Sequence, residues 1–212
     1  MSVRTPPFDM GWMPEEVRTL NGWDTVLTYV GEKRHGGLFI TDLSHVPKWV
    51  LHRRDLDAAA PLGLPVPPKP GEVRADGEKL LVRLTPSECL VLVLGAEVPT
   101  VDDLAMSDMT DAYAGFALVG PSCLEVLKKL SPVDLEAPGQ GVPCAAQAPI
   151  HDLRCVIVRL EGREAIPGLV ILGDRGYGQF LLDIFLDAGK EFDVSPAGMR
   201  RFEAWLTLFP AL

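Results

Sequence analysis

The sequence predicts an α+β fold, an antiparallel or mixed sheet with helices packed on one face. Two observations carry that expectation. Apolar, β-branched runs bounded by turn residues recur at 25–30, 38–42, 46–51, 80–84, 89–94, 113–119, 155–160 and 169–172. Helical spacing of apolar residues replaces them near 121–130, 180–188 and 196–206. The resulting order is strands, helix, strands, helix, helix, with no repeat and no low-complexity tract.

Residues 1–13, with Pro6-Pro7 and scattered aromatics, read as an arm. The run 14–20 reads as a short helix: proline suits a first helical position, Glu15 and Glu16 favour its N-terminal dipole, and Asn21-Gly22 stops it. Residues 25–30 form the first strand, which places an arm and first strand at 1–35 and one main domain at 36–207. The stretch P-L-G-L-P-V-P-P-K-P-G-E-V at 61–73 is an extended connector along the surface, because proline removes amide donors and fixes φ. Two apolar runs around Thr85-Pro86-Ser87-Glu88 make a hairpin. After the strand at 113–119, Gly120-Pro121 opens a helix with Cys123, Leu124, Leu127 and Leu130 on one face. Glu125 and Lys129 are spaced to pair on the other face. Phe180, Leu181, Ile184, Phe185 and Ala188 give a second helix. Ser195 as N-cap with Pro196 in the first turn gives a third, burying Met199, Phe202 and Leu206.

Composition narrows the function. The chain has 212 residues and a formal net charge of -9, which disfavours a nucleic-acid partner unless a basic patch offsets it. The densest basic groups, Lys33-Arg34-His35 and His52-Arg53-Arg54, are short and read as solvated turns. Cys89, Cys123, Cys144 and Cys155 form no C-x-x-C pair and read as buried thiols in a reducing compartment. Neither a signal core nor an apolar run of membrane-spanning length is present, so the expectation is a cytoplasmic protein without a membrane partner.

Chemistry-bearing motifs are few. Asp42-Leu43-Ser44-His45 places a carboxylate, a hydroxyl and an imidazole around one turn, where Asp42 and Ser44 read as turn formers bonding nearby amides. The glycines of Gly173-Asp174-Arg175-Gly176-Tyr177-Gly178 fit neither a dinucleotide fingerprint nor a phosphate loop. Asp174 there reads as a helix cap, and Arg175 and Tyr177 as groups able to hold a carboxylate ligand. The acidic pairs Glu15-Glu16 and Asp102-Asp103 read as solvated faces. No metal-ligand spacing is found, so no metal and no catalytic residue is assigned.

Taken in order, three segments resemble one family. They are Leu-Phe-Ile-Thr-Asp-Leu-Ser-His at 38–45, the strand-Gly-Pro-helix-Asp-Leu unit at 116–135, and Pro-Ala-Gly with Arg201-Phe202-Glu203 within 187–203. Together they resemble the folate-binding domain superfamily of aminomethyltransferases (the glycine-cleavage T-protein) and YgfZ-like proteins. Leu62-Gly63-Leu64-Pro65 and Leu84-Thr85-Pro86-Ser87-Glu88-Cys89-Leu90 make the gamma subunit of heterotetrameric sarcosine oxidase the nearest member.

The resemblance implies a T-protein-like fold with ferredoxin-like βαβ elements. It also suggests tetrahydrofolate as cofactor, with Arg175, Tyr177 and Glu203 as ligand-binding residues. The family's Asp-Asp before the strand at 80–84 is Gly77-Glu78-Lys79 here, and its Arg-x-Gly-Tyr-Thr-Gly-Glu loop is only partly matched at 172–179. Intact packing motifs beside altered cofactor motifs imply a non-catalytic accessory subunit. Its partner would be a larger flavin- or folate-dependent amine-oxidising or one-carbon-transfer subunit. The alternatives are a stand-alone tetrahydrofolate-binding, aminomethyltransferase-like enzyme and a homo-oligomeric one-carbon regulatory protein.

Overall fold

The computed structural model describes residues 3–33, 36–95, 98–101, 103–137 and 139–206. Arg34 and His35 of the first basic group, Asp102 of the second acidic pair and residue 207 at the expected domain end lie outside the described residues.

The fold is α+β. A six-stranded sheet has the order β10-β11-β12-β9-β3-β13, formed by Cys144–Ile150, Leu153–Glu161, Pro167–Asp174, Tyr113–Val119, Phe39–Asp42 and Ser195–Pro196. Its neighbours are antiparallel except for β13, which runs parallel to β3. Helices α1 (Cys123–Leu130) and α2 (Gly178–Gly189) lie together on one face. Because β12 and β13 are both parallel to β3, the β12-α2-β13 connection is a βαβ crossover with β9 and β3 between its strands.

Against the other face packs a five-stranded sheet, β5-β6-β7-β4-β8, made of Val73–Asp76, Lys79–Thr85, Glu88–Val93, Lys48–His52 and Met106–Asp108. Along one side the two sheets are tied by Ala145 N to Gly71 O at 2.8 Å and Gln147 Nε2 to Leu84 O at 2.9 Å.

Alternation along the strands explains the layers. On β9, Ala114, Phe116 and Leu118 point to the helices, while Ala117 and Val119 point to the second sheet. Phe116 is fully buried between Phe8 of the arm (ring centroids 6.3 Å apart) and Phe185 of α2 (5.1 Å), both edge-on. Burial of such a ring is worth about 2–3 kcal/mol. Leu56, Ala59 and Val66, from the proline-rich connector and the loop before it, cover the outer face of the five-stranded sheet against Leu51, Leu81 and Val91.

Four local expectations are corrected. Pro14–Leu20 is a strand, β1, paired with β2 (Trp23–Tyr29). Asn21 (φ 53°) and Gly22 (φ 80°) are the two central residues of its turn. Asn-Gly at left-handed φ matches the twist of a hairpin, and that local signal outweighs the helix-start chemistry of Pro14-Glu15-Glu16.

Ser195-Pro196 does not start a helix. It forms β13, with Ser195 N to Leu38 O at 3.1 Å and Ala197 N to Ile40 O at 2.8 Å, and α3 (Met199–Leu206) begins later. Proline is tolerated because these two bonds bypass its position on an edge strand. Cys144–Ile150, read as no element, is β10. Finally, Glu125 pairs with Lys128 at 2.8 Å. Lys129 turns instead to the end of α2, donating to Ala188 O at 3.1 Å and pairing with Glu191. Free carbonyls at a helix C-terminus attract such a cation.

Candidate functional site

The Asp-Leu-Ser-His motif sits where β3 leaves the sheet. Leu43 N still bonds Gly115 O on β9 at 2.8 Å, and Asp42 Oδ1 then accepts from Ser44 N at 2.8 Å, making the Asx turn that the residue types suggest. The chain doubles back to Lys48, whose side chain returns into the turn. Its Nζ donates to Leu43 O (2.9 Å), Ser44 O (3.1 Å) and Val46 O (2.6 Å). An ammonium has three donors, so Lys48 is fully satisfied. Gly115 makes room for it: a β-carbon there would stand 3.3 Å from Lys48 Cε and 2.9 Å from a Leu172 methyl.

The electrostatics of this turn are those of a closed interior. Burial pulls the Lys48 pKa down to about 7, opposed by Asp42, Asp108 and Asp111. For Asp42, burial pushes the carboxyl up, opposed by its hydrogen bonds with Ser44 and by Lys48. Burial and then the Lys48 charge lower His45 to about 3, so its imidazole is neutral at physiological pH. Asp42 and Lys48 are thus turned toward the backbone, whereas the buried His45 Nδ1 meets no hydrogen-bond partner among the described residues.

Arg175 and Tyr177 follow β12. Asp174 Oδ1 accepts from Gly176 N at 2.8 Å and caps a short 3-10 turn, Arg175–Tyr177, ahead of α2. Arg175 lies over the buried Trp23 ring (Cζ 5.0 Å from the centroid), with Nη1 3.7 Å from Asp111 and Nη2 3.4 Å from Thr5 O. Arg4 approaches the same ring at 5.7 Å and pairs with Asp111 at 3.0 Å. This cluster fastens the arm to the body. Tyr177 is exposed, as is Phe180 one turn on.

Glu203 lies on α3, its carboxyl pushed up by burial and by Glu78, with Arg200 opposing. Trp205 of the same helix covers Gly168 at the start of β12, whereas Arg175 follows the strand's end. Seven residues of strand put those two positions roughly 20 Å apart, so the predicted ligand residues stand at different ends of the sheet.

A cleft of about 1130 Å³ opens between the β1-β2 hairpin, α3 and the 36–37 turn. Arg201, only 9% exposed, lines it. Its guanidinium stacks on Phe39 at 4.2 Å and Nη2 donates to Gly36 O at 2.5 Å, but buried Nη1 has no partner among the described residues. Nearby charges are engaged elsewhere: Arg200 pairs with Glu16 at 2.7 Å, and Glu32 Oε2 accepts from Tyr29 N (2.9 Å) and Gly198 N (3.0 Å). Neither Lys48 nor Arg201 stands out in the sequence as a site residue. Lys48 reads as one residue of a strand, and Arg201 only as part of Arg-Phe-Glu. Among the described residues, no group of three His, Cys, Asp or Glu is placed to hold a metal, and no helix is long and apolar enough to cross a membrane.

No family model matches the chain, and no curated protein does. Among solved structures, it is similar to a chain of the heterotetrameric sarcosine oxidase from Corynebacterium sp. U-96, determined in complex with pyrrole 2-carboxylate. The TM-score is 0.61 at 21% sequence identity, over 74% of this chain and 86% of that one. At that identity the likeness establishes a shared fold, and the α+β architecture is the one that both chains have.

Proposed function

We propose that this protein is a non-catalytic, cytoplasmic accessory subunit resembling sarcosine oxidase gamma. It packs against a larger flavin- or folate-dependent subunit that oxidises amines or transfers one-carbon units. The observation that carries the reading is the likeness, over 74% of this chain and 86% of the other, to one chain of a heterotetrameric oxidase. The inward-facing Asp42–Lys48 turn supports it, because Asp42 and Lys48 serve the backbone and the His45 imidazole is buried away from solvent. Exposed Trp12, Met13, Val17 and Val30 on and beside the β1-β2 hairpin supply apolar surface for such a partner. The division into an arm with the first strand at 1–35 and a T-protein-like unit at 36–207 belongs to the same proposal.

The test is native mass measurement of the chain purified from its own source at low salt. The expected result is a hetero-oligomer containing a flavin-bearing chain. A lone monomer with intrinsic turnover overturns the reading, and a homo-oligomer transfers it to a regulatory protein. The second reading, a tetrahydrofolate-binding protein using Arg175, Tyr177 and Glu203, is favoured by the exposed Tyr177 and Phe180 rings beside Arg175. It predicts calorimetric heat with tetrahydrofolate that Arg175→Ala abolishes, and absence of heat rejects it.

A further inference from the structure

We propose that the cleft between the β1-β2 hairpin and α3 binds a small monocarboxylate with a flat apolar body, its carboxylate held by Arg201. The reason begins with a hydrogen-bond count. A guanidinium offers five donors in a fixed fork, and buried donors are rarely left unpaired because the cost is about 1–3 kcal/mol each. Arg201 is 9% exposed, and one edge of its fork is occupied by Gly36 O. The other nitrogen is buried without a partner among the described residues, and the residue borders an open cleft of about 1130 Å³. Among the described residues no carboxylate hydrogen-bonds that nitrogen: Glu16 is taken by Arg200, and Glu32, though near enough to attract Arg201, accepts two backbone amides on Oε2.

The walls give the rest of the ligand's chemistry. Phe39, Ile166 and Trp205 present apolar surface, and Trp205 is held in place by Nε1 donating to Ile166 O at 3.0 Å. Glu15, Glu16, Glu32 and Glu164 also line the cleft. Arg163 and Arg200 stand against Glu164 and Glu16, which leaves Glu15 and Glu32 to repel a second negative charge on the ligand and favours a monoanion over a dianion. Since Nη1 is itself occluded, the guanidinium must swing toward the cleft to engage the ligand, giving up part of its stack on Phe39. Affinity is therefore modest, on the order of 1 mM for a fragment-sized probe. The inference is independent of the accessory-subunit reading, because it rests on lining residues of this chain alone.

The experiment uses the whole chain and benzoate as probe, followed by NMR at the Trp205 indole and the Gly37 amide. Neutral benzamide and dianionic terephthalate serve as controls. Benzoate is expected to shift both signals saturably. Benzamide is expected to bind about tenfold more weakly, the loss of one charge-assisted hydrogen bond, and terephthalate more weakly than benzoate because its second carboxylate meets Glu15 and Glu32. Arg201→Gln should lose the binding by a similar factor. Ala204→Trp fills the cleft from an exposed helix position and leaves Arg201 intact; it too should abolish binding, and it decides the matter if the Arg201 variant does not fold. Failure of benzoate to saturate at roughly 10 mM, equal binding of benzamide, or unchanged affinity in Ala204→Trp overturns the proposal.

Discussion

Strand β3 has a buried cation at each end, and the two are treated in opposite ways. At its start Arg201 stacks on Phe39 with one nitrogen unpaired among the described residues; beyond its end Lys48 fills a turn with all three protons donated to carbonyls. Only a few residues of strand, roughly 10 Å, separate them. Burial of a charge does not by itself mark a functional group. What distinguishes the two is whether the surroundings supply as many acceptors as the cation has donors. Where the count closes, as at Lys48, the cation is part of the architecture. Where it stays open beside a cleft, as at Arg201, a ligand can close it.

The largest expected effect tests the closed end. Lys48→Met keeps the stem that crosses Gly115 and removes the ammonium. Three carbonyls then lose a shared donor and Asp42 loses a neighbouring positive charge, so the variant should be destabilised by about 3–5 kcal/mol, read as a lower urea midpoint. A loss under about 1 kcal/mol would mean that the turn does not need its cation, and the contrast with Arg201 would collapse.

Beside Lys48, His45 gives a smaller, pH-dependent effect. Its folded pKa is lowered to about 3 from an ordinary 6.5. The unfolded chain therefore takes up the proton first as pH falls. The stability this group contributes is complete above pH 6.5 and is lost progressively toward pH 3. The slope is about 1.4 kcal/mol per pH unit, or about 2 kcal/mol between pH 6.5 and 5. Asp42, raised by burial, contributes a slope of opposite sign at lower pH. Comparison of wild type with His45→Gln isolates the histidine: the variant should lack this acid-side loss. Identical profiles would show that the imidazole is hydrated in solution and that this end of β3 is less closed than its geometry implies.

The sequence made the central strands and α1 legible because their signals are local: β9 and β11 are long apolar runs between turn residues, and Gly120-Pro121 precedes a face of helical period. The alanine-rich Cys144–Ile150, interrupted by Pro149, has a weak strand signal of its own and is organised by its partners β11 and Gly71. At the site, the Asx turn of Asp42 and Ser44 was readable because donor and acceptor are two residues apart. The role of Lys48 was not, since a lysine opening an apolar strand looks like a solvated edge until three carbonyls converge on it. Arg201 was less readable still: Gly36 and Phe39 lie more than 160 residues away in the chain, and an unpaired donor leaves no sequence pattern.

Arg201→Met is the smallest expected effect and the one that sharpens the comparison most. Methionine keeps apolar contact with Phe39 and removes a charge that is only partly satisfied. Three losses follow, the first being the attraction between Arg201 and Glu32. The cation–π stack disappears, and Gly36 O loses its donor, though Gly36 is exposed and its carbonyl can take water instead. Glu32 keeps its two amide donors, so no buried carboxylate is stranded. Removal of the buried charge also relieves a desolvation cost, since burial already lowers the guanidinium's pKa. These terms nearly cancel, and the expected change in unfolding free energy is within about 1 kcal/mol. The same isosteric change, cation to methionine, should therefore be severe at one end of β3 and mild at the other when both variants are unfolded in urea side by side. Equal losses would mean that Arg201 is as much a part of the architecture as Lys48, with its unpaired nitrogen met by water in solution.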